Sequence, residues 1–306
     1  MLRRVLSAGC ILPLLVAVAG LSGCTEDNFS QIARIDLPEH ETAPTLNLHV
    51  VVGDTVLTPF VGLSYGINES EPASRPARVS LGQNGSTVFD EEVPTGVDTR
   101  FVLEDSITGA TLDYVLRAEV EGFDPVEARQ RMPRPPAVSD LEFEIDGATD
   151  FEGFQLDAYE LTLTDPAGED NYYLFRVLSA FSPCGSAAAD TCAFPIVVQQ
   201  EFTTFGESPD PLLTNTLDFG FLLRDDTFDG DTYRVRFNAE NFNSFAALDV
   251  YSLTEDAYLY FLSRDAYDRS VDNPFAEPAN VHENVDGGHG IFMVSNRRRF
   301  IFSRQR

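Results

Sequence analysis

A serine within residues 62–66, which have the sequence GLSYG, matches the G-x-S-x-G pattern of a hydrolase nucleophile. That chemistry requires the serine to stand on a sharp turn between a strand and a helix, above a parallel sheet. Ser64 is followed instead by Ile67 to Pro72, which have no helical period and end in proline. The pattern therefore favours a chance match in a β loop over a serine hydrolase.

Residues 282–286, with the sequence HENVD, are similar to the zinc motif H-E-x-x-H except that Asp stands in the last place. In that motif the two ligands face the same way because they are one turn apart on a helix. Pro278 before the segment and Gly287-Gly288 after it favour an irregular loop. The segment therefore does not predict a zinc site.

Residues 225–230, with the sequence DDTFDG, partly match a calcium-binding loop. Thr227 replaces an expected Asp or Asn, and Arg236 occupies the position where calcium needs a bidentate carboxylate. A turn that enters the strand at Tyr233 is the favoured interpretation, with adventitious calcium as the alternative. His40 and His49 have no ligand partners near them in the sequence. We therefore predict no metal site and no cofactor.

Cys184 and Cys192 are separated by seven residues with the small, turn-forming sequence GSAAADT. In an oxidising compartment such a pair predicts a disulfide that closes a loop. On the chain-entropy model a loop this short stabilises the fold by roughly 2.6 kcal/mol. Two free thiols are the alternative, and zinc is disfavoured because no histidine lies near the pair.

The first 23 residues have the composition of an export signal and are left out of the fold. Arg3 and Arg4 precede an apolar run from Val5 to Leu21, which is interrupted by proline and glycine and is short for a membrane-spanning helix. The run ends in Leu21-Ser22-Gly23-Cys24, which resembles the lipobox of bacterial lipoproteins. The resemblance implies cleavage before Cys24 and lipid attachment to its sulfur, and more than one acyl chain gives stable anchoring. An ordinary signal peptide is the alternative.

The chain has a formal net charge of −28, and all 21 of its basic residues are arginine. Loss of Arg3 and Arg4 with the signal makes the mature chain still more acidic. Such a charge excludes nucleic acid as a partner, because phosphate binding requires a basic surface. A salt-rich habitat, in which screening shortens the Debye length to about 3 Å at 1 M, explains the acidity. Codon bias that favours arginine is the plainer alternative.

Alternating apolar residues predict that the mature chain is mainly β. After an acidic linker over 24–43, Leu46, Leu48 and Val50 share one face of a strand, and Asn84-Gly85 is a strong hairpin signal. Prolines within 133–136 mark a stiff boundary. Residues 44–134 are therefore predicted to form a β-sandwich similar to immunoglobulin or fibronectin type III domains.

Residues 137–306 are predicted to form a second β-rich domain with one helix. Strands are indicated around Tyr159–Leu163, at Tyr172–Phe181, at Phe194–Phe202, at Leu217–Leu223 and from Tyr233. Two short strands are indicated at 291–294 and 300–302. The helix is expected over about 254–268. Its expected start is a capping box between Ser252 and Glu255, and its expected buried face contains Tyr258, Phe261, Leu262 and Ala266.

Several segments resemble the domain-of-unknown-function family 4249, a family of envelope lipoproteins from Bacteroidetes-type bacteria. The longest are 164–173 (TDPAGEDNYY), which we call the first signature, and 273–281 (NPFAEPANV) with the GGHGIF that follows at 287–292. The DDTFDG turn, the Met132-Pro133 boundary and the lipobox fall where the family has them. The resemblance implies an envelope lipoprotein, without implying a reaction. Because members are often encoded near TonB-dependent receptors, it also suggests a role beside an outer-membrane transporter.

The sequence leaves three classes of function open. Glu26 and Asp27, directly behind Cys24, are similar to an acidic signal that sends such lipoproteins to the outer face of the outer membrane. The periplasmic face is the alternative. We expect a lipid-anchored, surface-exposed binding or accessory protein without catalysis. A structural or adhesive envelope protein is the second class, and an uncharacterised hydrolase is the third.

Overall fold

The computed structural model describes residues 39–181, 197–203, 206–240, 245–271, 277 and 279–303. Most of these residues lie in strands, so the predicted mainly β fold with one helix is confirmed. The strands are β1 (Pro44–Val51), β2 (Val56–Leu57), β3 (Phe60–Leu63), β4 (Pro76–Gln83), β5 (Ser86–Pro94), β6 (Val97–Asp98), β7 (Phe101–Val102), β8 (Asp113–Val120), β9 (Val126–Arg131), β10 (Ala137–Thr149), β11 (Gln155–Thr164), β12 (Tyr172–Phe181), β13 (Val197–Thr203), β14 (Gly206–Glu207), β15 (Thr214–Asn215), β16 (Phe221–Arg224), β17 (Thr232–Ala239), β18 (Phe245–Leu253) and β19 (Phe292–Ser303). The helix is α1 (Glu255–Val271). Within the described ranges no helix is both long and apolar enough to cross a lipid bilayer.

A nine-stranded sheet forms the centre of the fold. Its strand order is β15-β16-β12-β18-β19-β1-β3-β6, and β13 pairs with β12 off this path. The pairing of β1 with β19 is parallel, with Leu48 opposite Phe292, so the sheet joins segments from near the two ends of the chain. Two four-stranded sheets, β5-β4-β8-β9 and β10-β11-β17-β14, accompany it, as does the short pair β2-β7.

One face of the central sheet packs against both four-stranded sheets. Side chains of β1, β4 and β8, such as Leu48, Val79 and Leu116, share one core. Side chains of β11, β12 and β18, such as Leu161, Phe175 and Leu248, share a second core. The 12-residue strand β19 contributes to both, because its residues 292 and 294 pack in the first core and residues 300 and 302 pack against the second. The fold is therefore two β-sandwiches that share one long strand.

The proline segment at 133–136 lies between the strands of the two sandwiches in the chain. Residues 44–134 supply most of the first sandwich, and the later residues supply the second together with β19. The division into separately folding domains at this segment stays a prediction.

Helix α1 covers part of the opposite face of the central sheet. Its start differs from the prediction, because Ser252 lies in β18 and the cap is Thr254, whose Oγ1 accepts the Ala257 N–H at 3.3 Å. Thr254 stands directly before the first helical residue, as a cap must. The buried face also differs: Ala257, Phe261 and Asp265 are buried, at helical spacing, whereas the predicted Leu262 and Ala266 are exposed. The predicted length is nearly correct, since α1 runs to Val271.

The predicted hairpin at Asn84-Gly85 is confirmed, and two strand predictions are corrected. Asn84 and Gly85 have φ of 47° and 82°, the left-handed conformations that a two-residue hairpin between β4 and β5 requires. The strand predicted at 217–223 begins only at Phe221, because the chain first turns at Gly220, with φ of 107°. The two strands predicted at 291–294 and 300–302 are one strand, β19. The polar residues between them hid its continuity.

Candidate functional site

The GLSYG segment does not form a nucleophile elbow. Ser64 follows β3, and the residues after it are irregular rather than helical. Its hydroxyl oxygen accepts the Ala43 backbone N–H at 2.9 Å, so Ser64 fastens the start of β1 to the end of β3. The serine of a nucleophile elbow needs a helix directly behind it. The interpretation of GLSYG as a β-loop segment is confirmed.

The HENVD segment is irregular, and His282, Glu283 and Asp286 each contact a different residue. His282 Nε2 lies 2.7 Å from Asp256 Oδ1 at the start of α1, whereas Glu283 Oε2 lies 3.1 Å from His289 Nδ1. Asp286 pairs through its backbone with Glu127. Because these side chains do not converge, the segment does not supply a zinc site, and it connects α1 to the first sandwich instead.

The His282–Asp256 pair also lacks the geometry of a catalytic triad. A triad requires a nucleophile in hydrogen-bond contact with the second ring nitrogen of the histidine. Ser263 on α1 is the hydroxyl in contact with His282, but its Oγ accepts the backbone N–H of His282 at 2.8 Å. The pair therefore acts as a fastening between α1 and the 279–290 segment.

The DDTFDG turn joins the first signature in a cluster of carboxylates. Asp165, Asp225 and Asp229 each offer an oxygen within 4.8 Å of the other two. Asp165 and Asp225 are buried, and Asp229 is exposed. The carboxylates accept protein hydrogen bonds: Asp165 from the Tyr173 hydroxyl at 2.7 Å, Asp225 from the Asn171 N–H at 2.8 Å, and Asp229 from the Gly168 N–H at 2.7 Å. The cluster therefore holds the two turns together.

The electrostatics of this cluster follow from its burial. Burial raises the pKa of the Asp225 carboxyl, and hydrogen bonds from Asn171 oppose that shift. Burial and the hydrogen bond to Asp165 likewise raise the pKa of the Tyr173 hydroxyl. Sequence reasoning singled out the Asp225–Asp229 turn and missed Asp165, which is 60 residues earlier. Two antiparallel pairings bring the segments together: β11 with β17, in which Thr164 faces Thr232, and β12 with β16, in which Tyr172 faces Arg224.

A polar cleft lies where β9, the proline segment, the first signature and the start of α1 meet. One part encloses about 400 Å³ and an adjoining part about 320 Å³. Together their lining residues are Thr111, Arg129, Gln130, Arg131, Met132, Pro133, Arg134, Glu169, Asp170, Asn171, Tyr172, Leu253, Thr254, Glu255 and Asp256. We call this the junction cleft.

Groups of both charge signs line the junction cleft. Arg131 is exposed, and its guanidinium forms no hydrogen bond or ion pair within the described part of the chain. Arg134 forms a loose, exposed pair with Glu169, at 3.4 Å. Exposed pairs of this kind contribute little to stability. These side chains therefore remain available to a polar ligand or partner.

The inner wall of the junction cleft is buried and polar. The Tyr172 side chain is 4% exposed, and its hydroxyl has no hydrogen-bond partner among the described residues. Burial raises its pKa, and Glu255 and Asp170 add to the effect. Burial acts in the same direction on Asp256, but hydrogen bonds from His282, Gln130 and Asn284 outweigh it and hold the pKa of Asp256 below its ordinary value.

Sequence reasoning missed the junction cleft, although two signals pointed at it. Its walls contain residues 169–172 of the first signature and the Met132-Pro133 boundary, both of which the family resemblance had singled out. The contact between β9 and the start of α1, seen in the 2.5 Å bond from Gln130 Nε2 to Asp256 Oδ2, joins residues far apart in the chain. No local pattern predicts such a contact.

Some predicted site residues lie outside the described residues. They are the cleavage-site residues Leu21, Ser22 and Gly23, the lipid-attachment residue Cys24, and the disulfide pair Cys184 and Cys192. Cleavage, lipidation and the disulfide stay predictions.

The comparison with known families gives one match. The sequence profile of a family described as "Domain of unknown function (DUF4249)" matches residues 35–301. The match contains β1 to α1 and most of β19, together with every residue that lines the junction cleft. No curated protein matches the chain.

Proposed function

Because the chain belongs to the DUF4249 family, whose description assigns no activity, we propose a binding function built on the junction cleft. We propose that the protein is a lipid-anchored outer-membrane lipoprotein that binds beside a TonB-dependent transporter without catalysis. The observation that carries the binding role is the cleft itself. It combines an open volume of about 400 Å³ with side chains of both charge signs and with four residues of the first signature.

The composition of the cleft supports recognition of a polar partner. An unpaired guanidinium on an exposed wall, such as that of Arg131, binds carboxylates and backbone carbonyl groups through its planar set of N–H donors. Asp170 and Glu255, which also line the cleft, suit cationic side chains. Mixed charges of this kind favour specificity and correct orientation more than raw affinity. A loop of a receptor protein, polar and carrying both signs, matches this lining.

The anchoring part of the proposal is supported by the lipobox at Leu21–Cys24 and by the acidic residues behind it. The same features support the outer membrane as the location and the cell exterior as the facing side. A structural or adhesive role is the second candidate. It predicts that the protein works without the cleft.

Crosslinking followed by affinity purification from intact cells tests the proposal. We compare the wild-type protein with Arg131→Glu, which reverses a charge in the cleft, and with Arg100→Glu, which makes the same change at an exposed site outside it. We expect a TonB-dependent receptor to co-purify with the wild type and with the Arg100 variant, and to be lost with the Arg131 variant. Equal recovery of the receptor with all three proteins would place its contact elsewhere. Absence of any such receptor would overturn the accessory role.

A further inference from the structure

A second polar site lies on the face of the central sheet that carries α1, away from the junction cleft. There Asp249 of β18 stands between Arg176 of β12 and Arg299 of β19, each its direct cross-strand partner. Arg297 is opposite Tyr251, one position further along the same face. Side chains on one face of a sheet alternate with period two, so Arg297 and Arg299 point the same way while Arg298 points to the other face. We call this group the arginine row.

One arginine in the row satisfies the only carboxylate of the row. Asp249 is 0% exposed, and Arg299 binds both of its oxygens, Nε to Oδ1 at 2.6 Å and Nη2 to Oδ2 at 2.6 Å. The Tyr251 hydroxyl donates to Oδ2 at 3.2 Å. This bidentate pair uses the planar geometry that distinguishes arginine from lysine. Asp249 therefore has little capacity left for a second guanidinium.

Arg297 is the guanidinium in excess. Its Nη1 lies 3.8 Å from Asp249 Oδ2, beyond hydrogen-bond distance, and its side chain is only 20% exposed. A guanidinium has five N–H donors. Within the described part of the chain, Tyr251 is the side chain with which Arg297 shares a hydrogen bond. No Arg297 nitrogen is among the buried, unpartnered atoms of the described residues, so these donors are reachable from solution.

Two titratable groups, His49 and Asp54, lie beside the row. His49 of β1, whose Nε2 lies 2.8 Å from Ser295 Oγ, has its pKa lowered to about 4, first by burial and then by Arg176 and Arg297. Asp54 also faces Arg297, but burial raises its pKa and its Oδ2 accepts the Val51 N–H at 3.1 Å. Arg176 and Arg297 thus both make the surroundings of the His49 ring more positive.

We propose that the arginine row binds an oxyanion, a carboxylate or phosphate group held by Arg297 at the end of the row beside Arg299. The unmet, half-buried donors of Arg297 supply the hydrogen bonds, and its guanidinium charge supplies the attraction. The Ser295 hydroxyl and the His49 ring border the same site. This binding is independent of the proposed function of the junction cleft, so either can fail without the other.

The test follows the four histidine ring signals of the mature protein by NMR, as sodium phosphate or sodium acetate is added at constant ionic strength. We expect a saturable shift of the His49 signal alone, and a rise in the His49 pKa at saturation, because a bound anion favours the imidazolium form. His282, which faces Asp256, should not respond. A stronger response to phosphate identifies a phosphate group, and a stronger response to acetate identifies a carboxylate. No saturable His49 response to either anion would overturn the proposal.

Matched variants locate the site. Arg297→Gln removes the excess charge and keeps the Asp249–Arg299 pair, whereas Arg298→Gln removes one charge from the neighbouring position on the other face. We expect affinity to fall at least tenfold in the Arg297 variant and to change less than twofold in the Arg298 variant. Equal affinity in both variants would contradict the assignment. If the Arg297 variant does not fold, the wild-type titration above still decides the question.

Discussion

The half-buried position of His49 beside Arg176 and Arg297 predicts that mild acid destabilises the protein through this single side chain. Its pKa is about 4 in the folded protein, against 6.5 for an unperturbed histidine. Because the folded-state pKa is lowered, the unfolded chain binds the proton more readily between these two values. Stability that His49 permits at pH 7 is therefore lost progressively as the pH falls from about 6.5 towards 4.

The expected size follows from proton linkage. At pH 4.5 the unfolded state gains roughly 2.5 kcal/mol relative to the folded state from this group, and at pH 7 it gains less than about 0.2 kcal/mol. Carboxylates also titrate in this acidic protein, so the wild type alone does not isolate the effect. The measurement that does is the difference between the wild type and His49→Gln.

Glutamine cannot be protonated in this range and retains a polar group that can reach Ser295. We expect urea unfolding at pH 7 and pH 4.5 to show that the wild type loses roughly 2 kcal/mol more than the variant over this interval. His289→Gln is the control, because His289 is an exposed histidine paired with Glu283. If the wild type and the His49 variant lose equal stability, the folded protein does not hold His49 in its neutral form, and the prediction is wrong.

Four further predictions concern the lipid anchor, the net charge, the disulfide and the helix cap. Cys24→Ser should release the protein from membranes, and unchanged membrane partitioning would rule out lipid anchoring. Carboxylate repulsion should make the melting temperature rise between 0.1 M and 2 M NaCl, and a flat or falling profile would exclude salt adaptation. Replacement of both Cys184 and Cys192 by Ser should lower the free energy of unfolding by roughly 1–3 kcal/mol without loss of the fold, and mass spectrometry should find the native pair oxidised. Thr254→Ala should lower the free energy of unfolding by about 1 kcal/mol because it removes the helix cap, whereas the control Thr58→Ala, at an exposed loop position, should change it by less than about 0.5 kcal/mol; an equal loss in both variants would contradict the cap.

Features set by neighbouring residues were predictable from the sequence. The Asn84-Gly85 hairpin and the approximate length of α1 each depend on residues a few positions apart. The helix cap was missed by two residues because Ser252 and Thr254 are both good capping residues, and only the end of β18 decides between them. Local preference therefore gave the type of element, while its boundary depended on the tertiary pairing.

Features set by distant residues were not predictable. The parallel pairing of β1 with β19 joins positions about 245 residues apart, such as Leu48 and Phe292, and nothing in either segment specifies the other. The junction cleft depends on a contact between Gln130 and Asp256, which are 126 residues apart. The family resemblance pointed to the segments that line the cleft, and the geometry that unites them came from the structure.

The arginine row shows why residues that led to a wrong strand prediction in the sequence have a clear role in the folded structure. In the sequence, residues 296–299 interrupt an apolar pattern, and that interruption predicted two short strands with a polar break. In the fold, side chains alternate along β19, so Arg298 lies on one face of the sheet and Arg297 and Arg299 lie on the other. There Asp249 forms hydrogen bonds with Arg299. A strand that is hydrophobic at both ends keeps these charges only if its neighbours bind them. Arg297 has no carboxylate at hydrogen-bond distance, and it is therefore the residue that we expect to bind a ligand.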